Sequence, residues 1–172
     1  EYEIQFINDD GSADFGFVAA PGTIAAVKFV CITPSPCQIL KMMFYVWGEM
    51  KPVNVLVLDS DFKPIFSRAV VYPKEGWLTV DISDANVIVG GTQSFYIGFQ
   101  WTSPPSRPWL GVDTTPPHHG RSYLGSVGNP GQPKSGENYM IRVQVKVSGH
   151  LDYRTQIEEL QKKVSDLSGR LQ

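Results

Sequence analysis

From residue 1 to residue 148 the apolar residues come in short runs, and none continues at helical spacing for long enough to cover a sheet. "YEIQFI", "TIAAVKFV", "QILKMMFYVW", "VNVLVLD", "IFSRAVVY", "WLTVDI", "SFYIGFQW" and "YMIRVQVKV" are rich in β-branched and aromatic residues and are bounded by Gly, Pro, Asn, Asp or Ser, the composition of strands. The last run is the most explicit. Ile141, Val143, Val145 and Val147 share one face, and Met140, Arg142, Gln144 and Lys146 share the other. An apolar sheet face must be covered, and without an amphipathic helix before residue 150 only a second sheet can do it. Residues 1–148 are therefore expected to form an all-β sandwich. A jelly-roll-like strand order is expected rather than an immunoglobulin one, because Cys31 and Cys37 are too close in sequence to bridge two sheets as the immunoglobulin pair does.

With 172 residues, 42% of them apolar and 19% charged, the chain can bury one core and carry a small appendage. The appendage begins at Ser148-Gly149-His150, where the composition changes. "LDYRTQIEELQKKVSDLSGRLQ" has no proline and is dominated by long side chains that favour helix. Placing Ile157, Val164 and Leu171 at heptad position a puts Tyr153, Leu160 and Leu167 at d, so the apolar step alternates four and three along the segment. Asp152 suits the N-cap, and a helix of this span is about 30 Å long at about 1.5 Å per residue. The stripe is narrow and is flanked by Gln156, Gln161, Lys163, Ser168 and Arg170. It suits another narrow helix better than a broad sheet face, so residues 149–172 are expected to be a coiled-coil stem that self-associates as a dimer or a trimer. The competing expectation is an amphipathic helix folded back on the sandwich. Gly169 weakens the last turn, and the seam still runs at Leu171, which leads to the expectation that the native helix continues.

A net charge of −2 with no dense basic cluster argues against nucleic acid or an anionic membrane as partner. No run of about eighteen apolar residues occurs, so no membrane span is expected in this chain. It starts at Glu1, without methionine, and is expected to be a processed or trimmed piece.

Several clusters invite a chemical reading. In "CITPSPC", Pro34 and Pro36 favour a turn that would bring Cys31 and Cys37 to bridging distance. A small disulfide loop is the reading preferred over buried free thiols, and it places the protein outside a reducing compartment. In "NDDGSADFGF", the preferred reading is an Asx-rich turn whose carboxylates bind backbone amides; the alternative is that Asp9, Asp10 and Asp14 surround a calcium ion, which wants several oxygens from a tight loop. Asp59 and Asp61 in "LDSDFKP" read as a hairpin tip by the same logic. In "GVDTTPPHHGRSYLG", His118 and His119 lack a third zinc ligand nearby, and "GRSYLG" lacks the G-x-S-x-G elbow, so an irregular loop between the strands "WLGVD" and "RSYLG" is preferred to a site. Trp47, Trp77, Trp101 and Trp109 would offer flat faces to a sugar if exposed. Most are expected in the core, with Trp109 the best candidate for ligand contact.

The succession "NDDGSADFGF", "FYVWG", "VDISDANVIVGGTQSFYIGFQW", "WLGVD", "GRSYLG" and "NYMIRVQVKV" resembles the jelly-roll domain that recurs in secreted and cell-surface proteins of archaea and some bacteria. The resemblance spans residues 1 to about 148 and implies an extracellular accessory or structural module, often attached to proteases or surface proteins, with no common catalytic residue. A sandwich followed by a coil is also similar in layout to archaeal surface-layer stalk proteins, although the glycosylation sequons of heavily glycosylated stalks are missing here. The expectation is a non-enzymatic interaction module on an oligomerising stem, with another cell-surface protein or a glycan as partner. A carbohydrate-binding module, the accessory domain of a secreted protease, and a hydrolase using Asp113 with His118 or His119 are the competing expectations.

Overall fold

The computed structural model describes residues 2–49, 51–71, 75–104, 107–147 and 160–167. Its strands are β1 (Tyr2–Phe6), β2 (Phe15–Phe17), β3 (Ile24–Val30), β4 (Cys37–Trp47), β5 (Val53–Leu58), β6 (Pro64–Val70), β7 (Gly76–Asp81), β8 (Ile88–Val89), β9 (Ser94–Trp101), β10 (Trp109–Asp113), β11 (Ser122–Gly125), β12 (Asn138–Tyr139) and β13 (Ile141–Val147). All the apolar runs singled out above form strands. Three short strands, β2, β8 and β12, add to them, β12 breaking off the start of the last run; they are too brief to carry an alternation of their own.

The strands make two antiparallel sheets. One runs β1-β13-β4-β10-β12, with β2 on β10 and with β7 and β8 on β4. Both β13 and β7 register with Lys41–Phe44, so they lie on opposite edges of the long β4. The other sheet runs β11-β3-β9-β5-β6. Between them lies one core. Met42, Phe44 and Val46 of β4 and Ile141, Val143 and Val145 of β13 supply one side; Val27 and Phe29 of β3 and Phe95, Ile97 and Phe99 of β9 supply the other. The period-2 expectation for the last strand therefore holds, and the chain is a two-sheet β-sandwich.

One irregularity keeps the pattern in phase. The β13–β4 register shifts between Gln144 and Val145, which pair with Lys41 and Ile39, so Leu40 is an extra residue on β4. Without that bulge, the adjacent apolar residues Ile39 and Leu40 would turn the remainder of β4 inside out. Cys31 and Cys37 are joined as a disulfide that closes the corner where β3 of one sheet passes to β4 of the other. Gly91 allows this corner to pack, since a β-carbon there would collide with the Pro34 carbonyl.

A second apolar cluster lies on the outer face of the β11-to-β6 sheet: Ile24, Ala26, Leu56, Leu58, Phe62 and Tyr96. Phe62 comes from the β5–β6 hairpin and takes a left-handed backbone, φ 60°, to fold onto that face. Asp59 makes the turn, its Oδ1 accepting from the amides of Asp61 (2.9 Å) and Lys63 (3.0 Å), the hairpin-tip role expected of it.

In the appended segment, residues 160–167 are helical. Leu160, Val164 and Leu167 lie within this helix; Tyr153, Ile157 and Leu171 are outside the described residues.

Candidate functional site

Three regions hold the residues that the sequence singles out, and Arg142 joins the first two by binding Asp9 and lying over Trp77.

The first is the end of the sandwich where the loop after β1 meets the loop after β10. Its aspartates are each engaged by protein donors. The Asp9 carboxylate, its side chain fully buried, takes both Nη2 (2.6 Å) and Nε (3.1 Å) of Arg142, and its Oδ1 also accepts from the Gly11 amide. Asp10 Oδ1 accepts from the Ser12 amide at 2.9 Å. Asp14 Oδ2 accepts from the amide (2.7 Å) and hydroxyl (3.1 Å) of Thr114. These bonds, the amide's foremost, hold the Asp14 carboxyl below its ordinary range. Asp113 is buried and ties the two loops together by accepting from the amides of Asp10 and Thr115, both at 2.8 Å. Asp9 and Asp10 thus close turns, Asp9 also pairing with Arg142, and Asp14 ties its loop to the loop after β10; among the described residues no three His, Cys, Asp or Glu side chains are grouped to hold a metal ion.

The histidines sit nearby without forming a relay. His118 Nε2 donates to the Thr114 carbonyl at 2.7 Å, which fixes the proton on that nitrogen. His119 contributes its backbone amide to Asn138 Oδ1, and Asn138 Nδ2 donates to the Pro117 carbonyl. The hydrogen bonds of Asp113 go to backbone amides and not to either ring. The loop reading of "DTTPPHHG" describes this geometry.

The second region is the solvent face of the β4 sheet. Tyr45 and Trp47 alternate with the core residues Phe44 and Val46, so they point outward, and both are half-buried. Trp77 of β7 lies opposite Tyr45, and Trp109 of β10 lies opposite Trp47. The result is an aromatic row crossing three strands, with ring centroids 5.5 Å apart for Tyr45–Trp77 and 5.9 Å for Tyr45–Trp47. The row lies close to the sheet because glycines make room for it. Gly16 and Gly111 are cross-strand partners, and a β-carbon on Gly16 would collide with the Trp47 indole. A β-carbon on Gly48 would come within 2.6 Å of Trp109. Two arginines cover part of the row: Arg142 lies 4.2 Å from the Trp77 ring centroid and Arg107 lies 5.8 Å from that of Trp109. Trp101, by contrast, is fully buried and donates its Nε1–H to the Pro108 carbonyl at 2.8 Å. Of the four tryptophans, only Trp101 meets the expectation of a core position.

The third region is the stripe on the helix at 160–167. Leu160, Val164 and Leu167 are 61%, 63% and 59% exposed. They are spaced four and three residues apart, so they lie on one side of the helix.

No family model matches the chain, and no curated protein matches it in sequence. Among solved structures it is similar to Cwp84, a clostridial cysteine protease, after propeptide cleavage. The TM-score is 0.64 at 12% identity, over 85% of this chain and 40% of that one. At that identity the likeness is one of fold, and it is to a minor part of the protease's length.

Sequence reasoning missed the outward row. Tyr45, Trp47 and Trp77 belong to strands whose neighbours on both faces are apolar or aromatic, so period 2 does not say which face is wet. The signal that would have found the row is the pair of glycines inside strands, Gly16 and Gly111, since a strand glycine often marks close approach by a large group.

Proposed function

We propose that the chain is a non-catalytic interaction module of an extracellular protein, a jelly-roll-like sandwich carried on a self-associating coiled-coil stem. The observation that carries this reading is the open stripe of Leu160, Val164 and Leu167. Three large aliphatic side chains at a and d spacing, all mostly exposed in the single chain, have the geometry of one half of a helix–helix seam. The rest of the seam, Tyr153, Ile157 and Leu171, extends the same period in the sequence. A stem of two or three helices would hold as many sandwiches together, so that a weak contact made by each becomes a much stronger joint attachment through effective concentration. The Cys31–Cys37 disulfide supports an oxidising, extracellular setting. The fold likeness to part of a protease supports a module attached to a larger protein, a secreted protease among the candidates.

Helix this short is marginal alone, which gives the test. Ellipticity at 222 nm is expected to grow with protein concentration, and Leu160→Asp is expected to abolish that growth while leaving the near-ultraviolet spectrum of the sandwich unchanged. Helical signal that is independent of concentration in both proteins would refute a self-associating stem.

A second reading rests on the aromatic row. Tyr45, Trp47, Trp77 and Trp109 form a partly exposed apolar strip set among polar neighbours, the surface on which pyranose rings stack, so carbohydrate binding is the alternative work of the sandwich. Under this reading Trp47→Ala and Trp109→Ala each lose glycan-array binding without unfolding. An unaltered chain that binds no glycan on the array would remove it.

A further inference from the structure

The two sheets leave a cleft at one edge of the sandwich, between the residues that follow β1 and the end of β3. Its volume is about 210 Å³. Phe6, Phe29, Val30 and Ile32 give it apolar walls, and Asn8, Lys28 and Arg121 are its polar members.

Three features of this cleft are not accounted for by the fold. Lys28 and Arg121 are next-door on adjacent antiparallel strands, continuing the β3–β11 ladder by one pair, and the Lys28 amide donates to the Arg121 carbonyl at 2.8 Å. Like charges facing each other across a ladder are unfavourable, yet among the described residues neither side chain forms an ion pair. No carboxylate lines the cleft. Asn8 Nδ2, in the same wall, is buried with no hydrogen-bond partner, a costly arrangement unless something else accepts that hydrogen. Finally, β11 registers with Ile24–Val27 only, whereas β9 follows β3 through to Val30. Alternation along the strand sends the Val30 N–H and C=O to the side taken by the Lys28 N–H, where β11 no longer runs. The sheet edge is therefore open at the cleft.

Two cations that form no ion pair among the described residues, an unmet amide donor, an apolar chamber and an open strand edge together describe the receptor for a particular chemical group. We propose that the cleft binds the free carboxyl terminus of an extended peptide whose last residue is apolar. The carboxylate lies between Lys28 and Arg121, the terminal side chain enters the chamber against Phe6 and Phe29, and the peptide backbone pairs with the open edge at Val30, as in β-strand addition. This gives the sandwich a partner class of its own. It holds or fails independently of the stem, because a monomeric sandwich would bind the same terminus.

The test is a nitrogen-15 amide titration of the full chain with N-acetyl-Ala-Thr-Ala-Val as the free acid. Saturable shifts are expected at Phe29, Val30 and Arg121. Affinity is expected to fall by about tenfold or more for the same peptide as its C-terminal amide and for the K28Q/R121Q double variant, since each removes a charge-assisted contact worth on the order of a factor of ten. The charge-keeping K28R/R121K variant should retain most of the affinity, and dispersed spectra of both variants report that the sandwich is folded. Equal binding of acid and amide, or shifts centred away from the cleft, would overturn the proposal. So would valerate binding as tightly as the peptide, which would mean that the site takes a small carboxylate with no contribution from a backbone.

Discussion

The Asp9–Arg142 pair joins positions 133 residues apart and fastens the loop after β1 to the face of β13. Replacing Arg142 by methionine keeps an unbranched apolar side chain at the position and removes the guanidinium, the group that lies over Trp77. The Asp9 side chain is 0% exposed and Arg142 only 19%, so the carboxylate is left out of water with the Gly11 amide as its remaining donor. Breaking a buried ion pair from one side costs about 3–5 kcal/mol, because the surviving charge is uncompensated. Lost stacking on Trp77 at 4.2 Å acts in the same direction. With a urea slope of about 2 kcal/mol/M, the denaturation midpoint, followed by tryptophan fluorescence, should fall by roughly 1.5–2.5 M. Neutralising the partner as well, in D9N/R142M, should recover about half of that loss or more, since an amide has no net charge to strand. A fall of less than about 0.5 M with unchanged slope would place the pair in the solvent-screened class worth about 1 kcal/mol or less, and the reasoning from burial would be wrong.

Other expectations follow from named contacts. Phe62→Ala empties the centre of the outer cluster and should cost about 3–5 kcal/mol by chemical denaturation; a loss below about 1 kcal/mol would mean that the β5–β6 hairpin is not pinned by that ring. Gly16→Ala should displace the Trp47 indole and lower stability by about 1–3 kcal/mol, with a red-shifted tryptophan emission, and an unchanged spectrum would contradict the flat packing. Thr114 donates to Asp14, and Ser83, by hydroxyl and amide, donates to Asp81. Both carboxyls are held below their ordinary value of 3.8. A carboxyl depressed in the folded state stabilises above the unfolded value, and that contribution disappears as pH falls through the folded one. Thermal stability should therefore be level from about pH 5 upward in this respect and decline below about pH 4, with D14N/D81N flattening the decline. An identical acid profile in the double variant would refute the assignment.

Much of the sandwich was legible because its core strands obey period 2 against a single buried face. β13 shows this: the valines at 143, 145 and 147 are buried and the polar residues between them are not. The Leu40 bulge was not legible, because the adjacent pair Ile39-Leu40 does not stand out in a strand whose second half, Met42 to Trp47, is apolar or aromatic throughout. The functional surfaces were less legible for a physical reason. The aromatic row depends on register, since Trp47 meets Trp109 and the Gly16–Gly111 pair only once β4, β10 and β2 are aligned. The Lys28–Arg121 cleft depends on where β11 stops pairing, which no local composition encodes. Asp9, Asp10 and Asp14 cluster in sequence, but their carboxylates serve different donors because each closes its own turn or loop contact. The stem stripe, in contrast, is a local pattern, and Leu160, Val164 and Leu167 were readable at once.

The molecular mass of the unaltered chain in solution, by sedimentation equilibrium from micromolar to about 100 µM, tests the self-associating stem most directly. The account predicts a reversible approach to two or three times the monomer mass as concentration rises. A monomer mass throughout that range would contradict it.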